Sequence, residues 1–138
     1  MRTGLALLGS LTVPGRPDQV TAARAFARQA IGEQHPCAGT AVLLVSETVT
    51  NSVLHSNSRR DGGTITITIT VIATGHGIRI EVIDEGGATV PALRTRDSEL
   101  TEGGRGLQLL DELSARWDYY QDTVGTVTWF ELTEQPRE

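Results

Sequence analysis

Glu47, Asn51 and His55 recur at every fourth residue within the segment from Leu43 to Ser56. On an α-helix that spacing lines three side chains along one stripe. A carboxylate, an amide and an imidazole arranged this way can serve a metal ion and a reacting hydroxyl. Downstream come Asp84-Glu85-Gly86-Gly87 and then Gly103-Gly104-Arg105-Gly106-Leu107. A carboxylate at the end of a strand, with glycines behind it that let a base approach the backbone, can accept a hydrogen bond from an exocyclic amino group. Glycines ahead of a helix bare backbone N–H groups where the helix dipole favours anions, and Arg105 adds a positive charge there. Singly, each feature has a plainer reading: a polar helix face, an Asp/Gly turn, a loop with a solvated arginine. Their order along one chain is what suggests an ATP site. It is not the usual P-loop, because no Gly-Lys-Ser/Thr follows the glycines.

Within the stripe, Asn51 offers a neutral amide oxygen. That suits Mg²⁺, which keeps most of its waters and takes one or two protein oxygens. Glu47, one turn earlier, is placed to orient a hydroxyl or take its proton. His55, one turn later, could bond phosphate.

The elements that must hold these residues can be read from the periodicities. Leu5 to Val13 reads as a strand closed by Pro14-Gly15. A helix starts at Pro17-Asp18 and runs to Glu33 with Val20, Ala23, Ala27, Ala30 and Ile31 on its apolar stripe. A second helix spans about Ala38 to Ser56, with Val42, Val45, Val49 and Val53 opposite the Glu47 stripe. Thr64 to Val71 alternates threonine with isoleucine and predicts a strand with one buried face. Gly75-His76-Gly77 turns the chain into a strand with Ile78, Ile80 and Val82 that ends at Asp84. Gly86 to Glu102 has no period and is long enough to expect a lid. A third helix carries Leu107, Leu110 and Leu113, and Arg116–Gln121 with Thr126–Leu132 forms a closing hairpin. The expected fold is an α/β (α+β) two-layer sandwich: a mixed, mostly antiparallel sheet with helices on one face, forming a single domain over residues 1–138.

Composition narrows the function classes. The 138 residues carry a net charge of −5, and 38 % are hydrophobic, so a folded core is expected and a basic nucleic-acid-binding surface is not. The single cysteine, Cys37, excludes an intrachain disulfide or a multi-cysteine zinc site and reads as a buried small residue. No apolar run reaches the roughly 20 residues of a membrane span, and a cytoplasmic location is expected. Trp117 and Trp129 are expected as core or cover residues of the final hairpin. His35 and His76 are expected as exposed loop residues without partners.

With the motifs in hand, the chain resembles the Bergerat-type ATP-binding domain of gyrase-type ATPases, Hsp90, histidine kinases and MutL. Glu47-x-x-x-Asn51 resembles the N box, Asp84-x-Gly86 the G1 box and Gly104-x-Gly106 the G2 box. Within that group it is similar to the small anti-sigma-factor serine/threonine kinases. Pro14-Gly15-Arg16-Pro17, Ala23-Arg24, Leu44-Val45-Ser46-Glu47, Thr50-Asn51-Ser52-Val53-x-His55-Ser56, Gly104-Arg105-Gly106-Leu107, Arg116-Trp117 and Val127-x-Trp129-Phe130-Glu131-Leu132 carry that similarity. The resemblance implies ATP and Mg²⁺, with Glu47 as catalytic base, Asn51 as the Mg²⁺ ligand and Asp84 as the adenine reader. His55, Gly86, Gly87, Gly104, Arg105, Gly106 and Leu107 would complete the nucleotide site. It also implies two protein partners, a sigma factor held inactive and an anti-anti-sigma antagonist that is phosphorylated. Members of that branch are often homodimers. Ala88 and Thr126 depart from the fuller family pattern. Two other readings remain at this point: a nucleotide-regulated protein-binding module without turnover, and a detached catalytic domain of a histidine kinase.

Overall fold

A computed structural model describes residues 6–72, 77–86, 104–123 and 125–134, with the side chains of 104–107 outside the description. The elements in chain order are β1 (Ala6–Pro14), α1 (Val20–Ile31), α2 (Ala38–His55), β2 (Thr64–Val71), β3 (Gly77–Asp84), α3 (Gly104–Leu113), β4 (Arg116–Gln121) and β5 (Thr126–Thr133). Short 3₁₀ turns at Pro17–Gln19 and Asn57–Arg59 lead into α1 and out of α2.

The five strands form one sheet in the order β1-β2-β3-β5-β4. Every described pairing is antiparallel, which carries the mostly antiparallel sheet that was expected to its limit. Hairpin connections join β2 to β3 and β4 to β5, and antiparallel pairing is what such connections allow. The core joins helices and sheet on one face. Ile65, Ile67 and Ile69 of β2, Ile78, Ile80 and Val82 of β3 and Phe130 of β5 meet Ala23 and Ala27 of α1, Val45, Val49 and Val53 of α2 and Leu110 of α3. Full burial of the isoleucine, valine, leucine and phenylalanine side chains contributes about 1.5–3 kcal/mol each.

The Thr/Ile alternation of β2 behaves as its period demands: isoleucines buried, threonines turned to the other face, where Thr12 and Thr66 hydroxyls share a 2.8 Å hydrogen bond. α1 begins three residues later than expected, because Pro17 to Gln19 closes a 3₁₀ turn first, and it stops at Gly32, whose φ of +95° suits glycine. α2 is buried more widely than its valine stripe implied. Leu44, Thr48 and Ser52 are also buried, since the helix is flanked by both α1 and α3 as well as lying on the sheet.

The open sheet face is polar but ordered. Glu131 of β5 is 8 % exposed and accepts from Arg116 at 2.7 Å and Arg79 at 3.0 Å. Both guanidiniums also stand over the Trp129 ring, at 4.1 Å for Arg79 and 5.6 Å for Arg116. Trp129 therefore covers the hairpin and Trp117 packs against the core, the two roles expected of these residues.

His35 does not match its expectation. Its Nε2 lies 3.1 Å from Glu134 and its Nδ1 accepts the Cys37 backbone N–H at 2.9 Å, so it joins the start of α2 to the residues after β5. Cys37 is buried there, and that burial raises its thiol pKa, with the Glu134 charge adding to the effect. His76 and most of the expected lid lie outside the described residues. No described helix is long and apolar enough to cross a membrane.

Candidate functional site

α2 delivers the first group of site residues. Glu47 and Asn51 lie one turn apart on it, both half-buried, and His55 is its last residue and exposed. The carboxylate of Glu47 has no hydrogen-bond partner among the described residues. Asn51 Oδ1 is buried and without a partner among them. A buried, unmatched amide oxygen costs roughly 1–3 kcal/mol, so its presence argues for a ligand. A neutral hard oxygen fits Mg²⁺, which needs few protein ligands. No cluster of three or more His, Cys, Asp or Glu residues able to hold a metal exists among the described residues.

Ser52, the residue after Asn51, ties this helix to the next group. Its hydroxyl donates to Asp84 Oδ2 at 2.6 Å, and the Gly86 N–H donates to Asp84 Oδ1 at 2.7 Å. The backbone N–H of Thr126 is a third donor. Burial raises the Asp84 pKa and the Glu85 charge adds to that; the three donors pull the other way without cancelling it. Asp84 is 8 % exposed, and all its donors are neutral. A carboxylate has about four acceptor positions, so it retains capacity for one more donor, such as an adenine amino group.

The backbone behind Asp84 is shaped for this. Gly86 has φ +75°, which a side chain would strain, and a Cβ on it would lie 3.5 Å from Gly125 of the β4–β5 connection. Two further contacts fix the segment to the end of α2. The Asn57 N–H donates to the Gly86 carbonyl at 2.5 Å, and the Glu85 N–H donates to the fully buried Ser58 hydroxyl at 2.9 Å. Gly15 and Gly63 flank the same serine so closely that a Cβ on either would collide with its backbone.

The third group is represented by backbone alone. Gly104, Arg105, Gly106 and Leu107 form the first turn of α3, as the glycine-rich start suggested, and α3 packs against α2. Gly87 and the rest of the segment to Gly103 lie outside the described residues. The structure thus joins α2, through Ser52, to Asp84 and Gly86 at the end of β3, with Asn51 next to Ser52 and Glu47 one turn before Asn51 on the same helix. Ser52, Ser58 and Thr126 hold Asp84 and Glu85 in place, roles that sequence reasoning did not assign to them. Ser52 had a usable signal: a serine on the buried side of an amphipathic helix must find a partner.

A sheet covered on one face by helices, one of which carries a base candidate and a metal-ligand candidate and is bonded to a strand-end aspartate, defines a nucleotide-binding domain. Residues 13–132 match the histidine kinase-like ATPase domain, and the chain belongs to that family. The resemblance read from the three boxes is borne out at this level, and membership supports ATP binding. Comparison with curated proteins gives no match.

Proposed function

We propose that this chain is an ATP-dependent serine/threonine protein kinase of the anti-sigma type, which phosphorylates an anti-anti-sigma antagonist and sequesters a sigma factor. The observation that carries the reading is the buried Asn51 Oδ1, without a partner among the described residues, one turn from the Glu47 carboxylate on α2. In this reading Asn51 Oδ1 would hold Mg²⁺, which when bound neutralises phosphate charge. Asp84 would accept from the adenine amino group, held in place by Ser52, Gly86 and Thr126. The first turn of α3 would present backbone N–H groups to the phosphates. Glu47 takes the proton from the acceptor hydroxyl as its oxygen bonds the γ-phosphorus, and ADP leaves with the electrons of the broken P–O bond.

The test is transfer of labelled γ-phosphate from ATP to candidate antagonists encoded by the same genome. Glu47→Gln retains size and most hydrogen bonds but loses the proton acceptor. Transfer should fall by roughly 10²–10⁴-fold, with ATP affinity little changed. Wild-type protein that binds ATP and transfers to no antagonist, with Glu47→Gln indistinguishable from it, would replace the kinase with a nucleotide-regulated binding module.

A further inference from the structure

The connection from Gly32 to Cys37 brings the chain from α1 to α2 through two successive turns. The His35 N–H donates to the Gly32 carbonyl at 3.0 Å, and the Ala38 N–H donates to the His35 carbonyl at 3.0 Å. The side chain of Cys37, the N-cap residue, makes no capping bond to the first turn of α2. The side-chain bond at this point comes instead from His35. Its Nδ1 accepts the Cys37 backbone N–H at 2.9 Å, and its Nε2 lies 3.1 Å from Glu134 Oε2, just past the end of β5. The imidazole is 22 % exposed, so the ring is largely enclosed between these partners.

The two contacts fix where the ring carries its proton. Nδ1 accepts with its lone pair, so it holds no hydrogen. The proton of the neutral ring therefore sits on Nε2 and is donated to Glu134. A second proton has one place to go, which is Nδ1. There it would face the Cys37 N–H, donor against donor. The charged ring cannot keep both bonds. Its contact with Glu134 gains, because opposite charges then meet, while the bond to Cys37 is lost. Among the described residues, Glu134 is the ion-pair partner of His35, and Cys37 is the other titratable residue bonded to the ring. The Cys37 thiol supplies no counter-charge. Burial, and after it the Glu134 charge, raises its pKa, which keeps it protonated where an imidazole titrates.

We propose that His35 is a proton-operated switch on the start of α2. Neutral, it bridges Cys37 to Glu134 and fastens the α1–α2 connection to the residue after β5. Charged, it stays with Glu134 and lets go of Cys37. No covalent bond other than N–H changes, and the ligand is the proton itself. Release is local, because the far half of α2 stays tied to the sheet through Ser52 and Asp84. It loosens backbone that is otherwise closed, since Cys37 and Ala38 are each only 6 % exposed. The switch is independent of the phosphoryl-transfer reading above and stands or falls without it.

The test is NMR of the wild-type protein between about pH 5 and 8, the range in which an imidazole changes charge. At the upper end the His35 ring nitrogens should report the Nε2–H tautomer. As the ring takes up its second proton, the protection of the Cys37 N–H against hydrogen exchange, taken relative to the intrinsic rate at each pH, should fall. The expected fall is roughly three- to tenfold, the worth of one neutral hydrogen bond, while Val45 and Val49 within α2 keep their protection. In His35→Gln the amide can accept from Cys37 and donate to Glu134 without titrating, so Cys37 protection should be flat with pH. An Nδ1–H tautomer at the upper end overturns the switch. So does Cys37 protection that does not change as the ring titrates, a fall shared equally by Val45 and Val49, or an equal fall in His35→Gln. The tautomer and the wild-type protection decide the matter by themselves if His35→Gln fails to fold.

Discussion

Asp84 and Glu131 are two carboxylates on neighbouring strands, each 8 % exposed, and they are treated in opposite ways. Glu131 sits on the open sheet face between two guanidiniums. Burial pushes its pKa up, but hydrogen bonds and charge from Arg116 and Arg79 outweigh that, and the net direction is down. Asp84 sits on the helix side among a hydroxyl and two backbone N–H groups, and its net direction is up. Equal exposure thus goes with opposite shifts: the Asp84 carboxyl lies deeper and has only dipoles about it, whereas Glu131 has been given counter-charges. Glu131 is a finished structural joint. Asp84 is held in place but left electrostatically incomplete, which is the state expected of a group that waits for a ligand.

That contrast can be broken most forcefully at Glu131. Glu131→Ala leaves Arg79, whose side chain is 20 % exposed, with Glu81 as its only ion-pair partner among the described residues. Stability should fall by about 2–4 kcal/mol, at or below the cost of opening a fully buried pair because Arg116 can turn to water. ATP affinity should hold. Urea denaturation and calorimetry read the two quantities, and a loss of affinity larger than the loss of stability would place Glu131 in the site.

Asp84→Asn should show the reverse. The adenine amino group loses its acceptor and faces a donor, so ATP affinity should drop by about ten- to a hundredfold, roughly 1.5–3 kcal/mol. Folding stability should shift by no more than about 1 kcal/mol, because relief of the buried charge offsets the weaker bonds to Ser52 and Gly86. Unchanged affinity in a folded variant would remove Asp84 from the nucleotide site.

Acidity sharpens the comparison further. The raised pKa of Asp84 means that its contribution to stability is fully present below the ordinary aspartate range and is lost as pH rises through its folded value. The lowered pKa of Glu131 means that its contribution is present above the ordinary glutamate range and is lost as pH falls through its folded value. Between about pH 3 and 7, the stability gap between wild type and Asp84→Asn should therefore move toward the variant as pH rises, and the gap to Glu131→Ala should move toward wild type. Parallel slopes in the two pairs would contradict the assignment.

The smallest effect belongs to Ser52→Ala. Losing one donor to Asp84 should cost about 1 kcal/mol of stability and raise the Asp84 pKa further, with a few-fold weaker ATP binding. No change in either would make the 2.6 Å bond incidental.

The sequence disclosed what depends on local period. The Glu47 and Asn51 stripe, the Thr/Ile alternation of β2, the burial of Cys37 and the glycine start of α3 all follow from neighbours within a few residues. What stayed hidden depends on pairing across the chain. Ser52 meets Asp84 from 32 residues away, and His35 meets Glu134 from 99 residues away. β5 has a subtler difficulty. Thr126 and Thr128 are buried on the helix-facing side, and Glu131 is buried on the other, so the strand's polarity does not report its faces. At Thr126 the hydroxyl has a partner, since it accepts from Gln121 Nε2 at 3.2 Å. At Glu131 the reason is the pair of arginines.

The connection between α2 and β2 looks like a natural place to add a tag, a fluorophore or a longer loop. Arg59, Arg60, Asp61 and Gly62 are exposed, and exposed turns usually tolerate such additions. Here the turn is closed on Ser58, which Gly15 and Gly63 grip from both sides and which holds the Glu85 N–H, while Asn57 holds Gly86. Material spliced into residues 57–63 would therefore lift the backbone under Asp84 without touching the nucleotide. A labelled protein made that way would report on its own damage, and a probe for this molecule is better attached elsewhere on the surface.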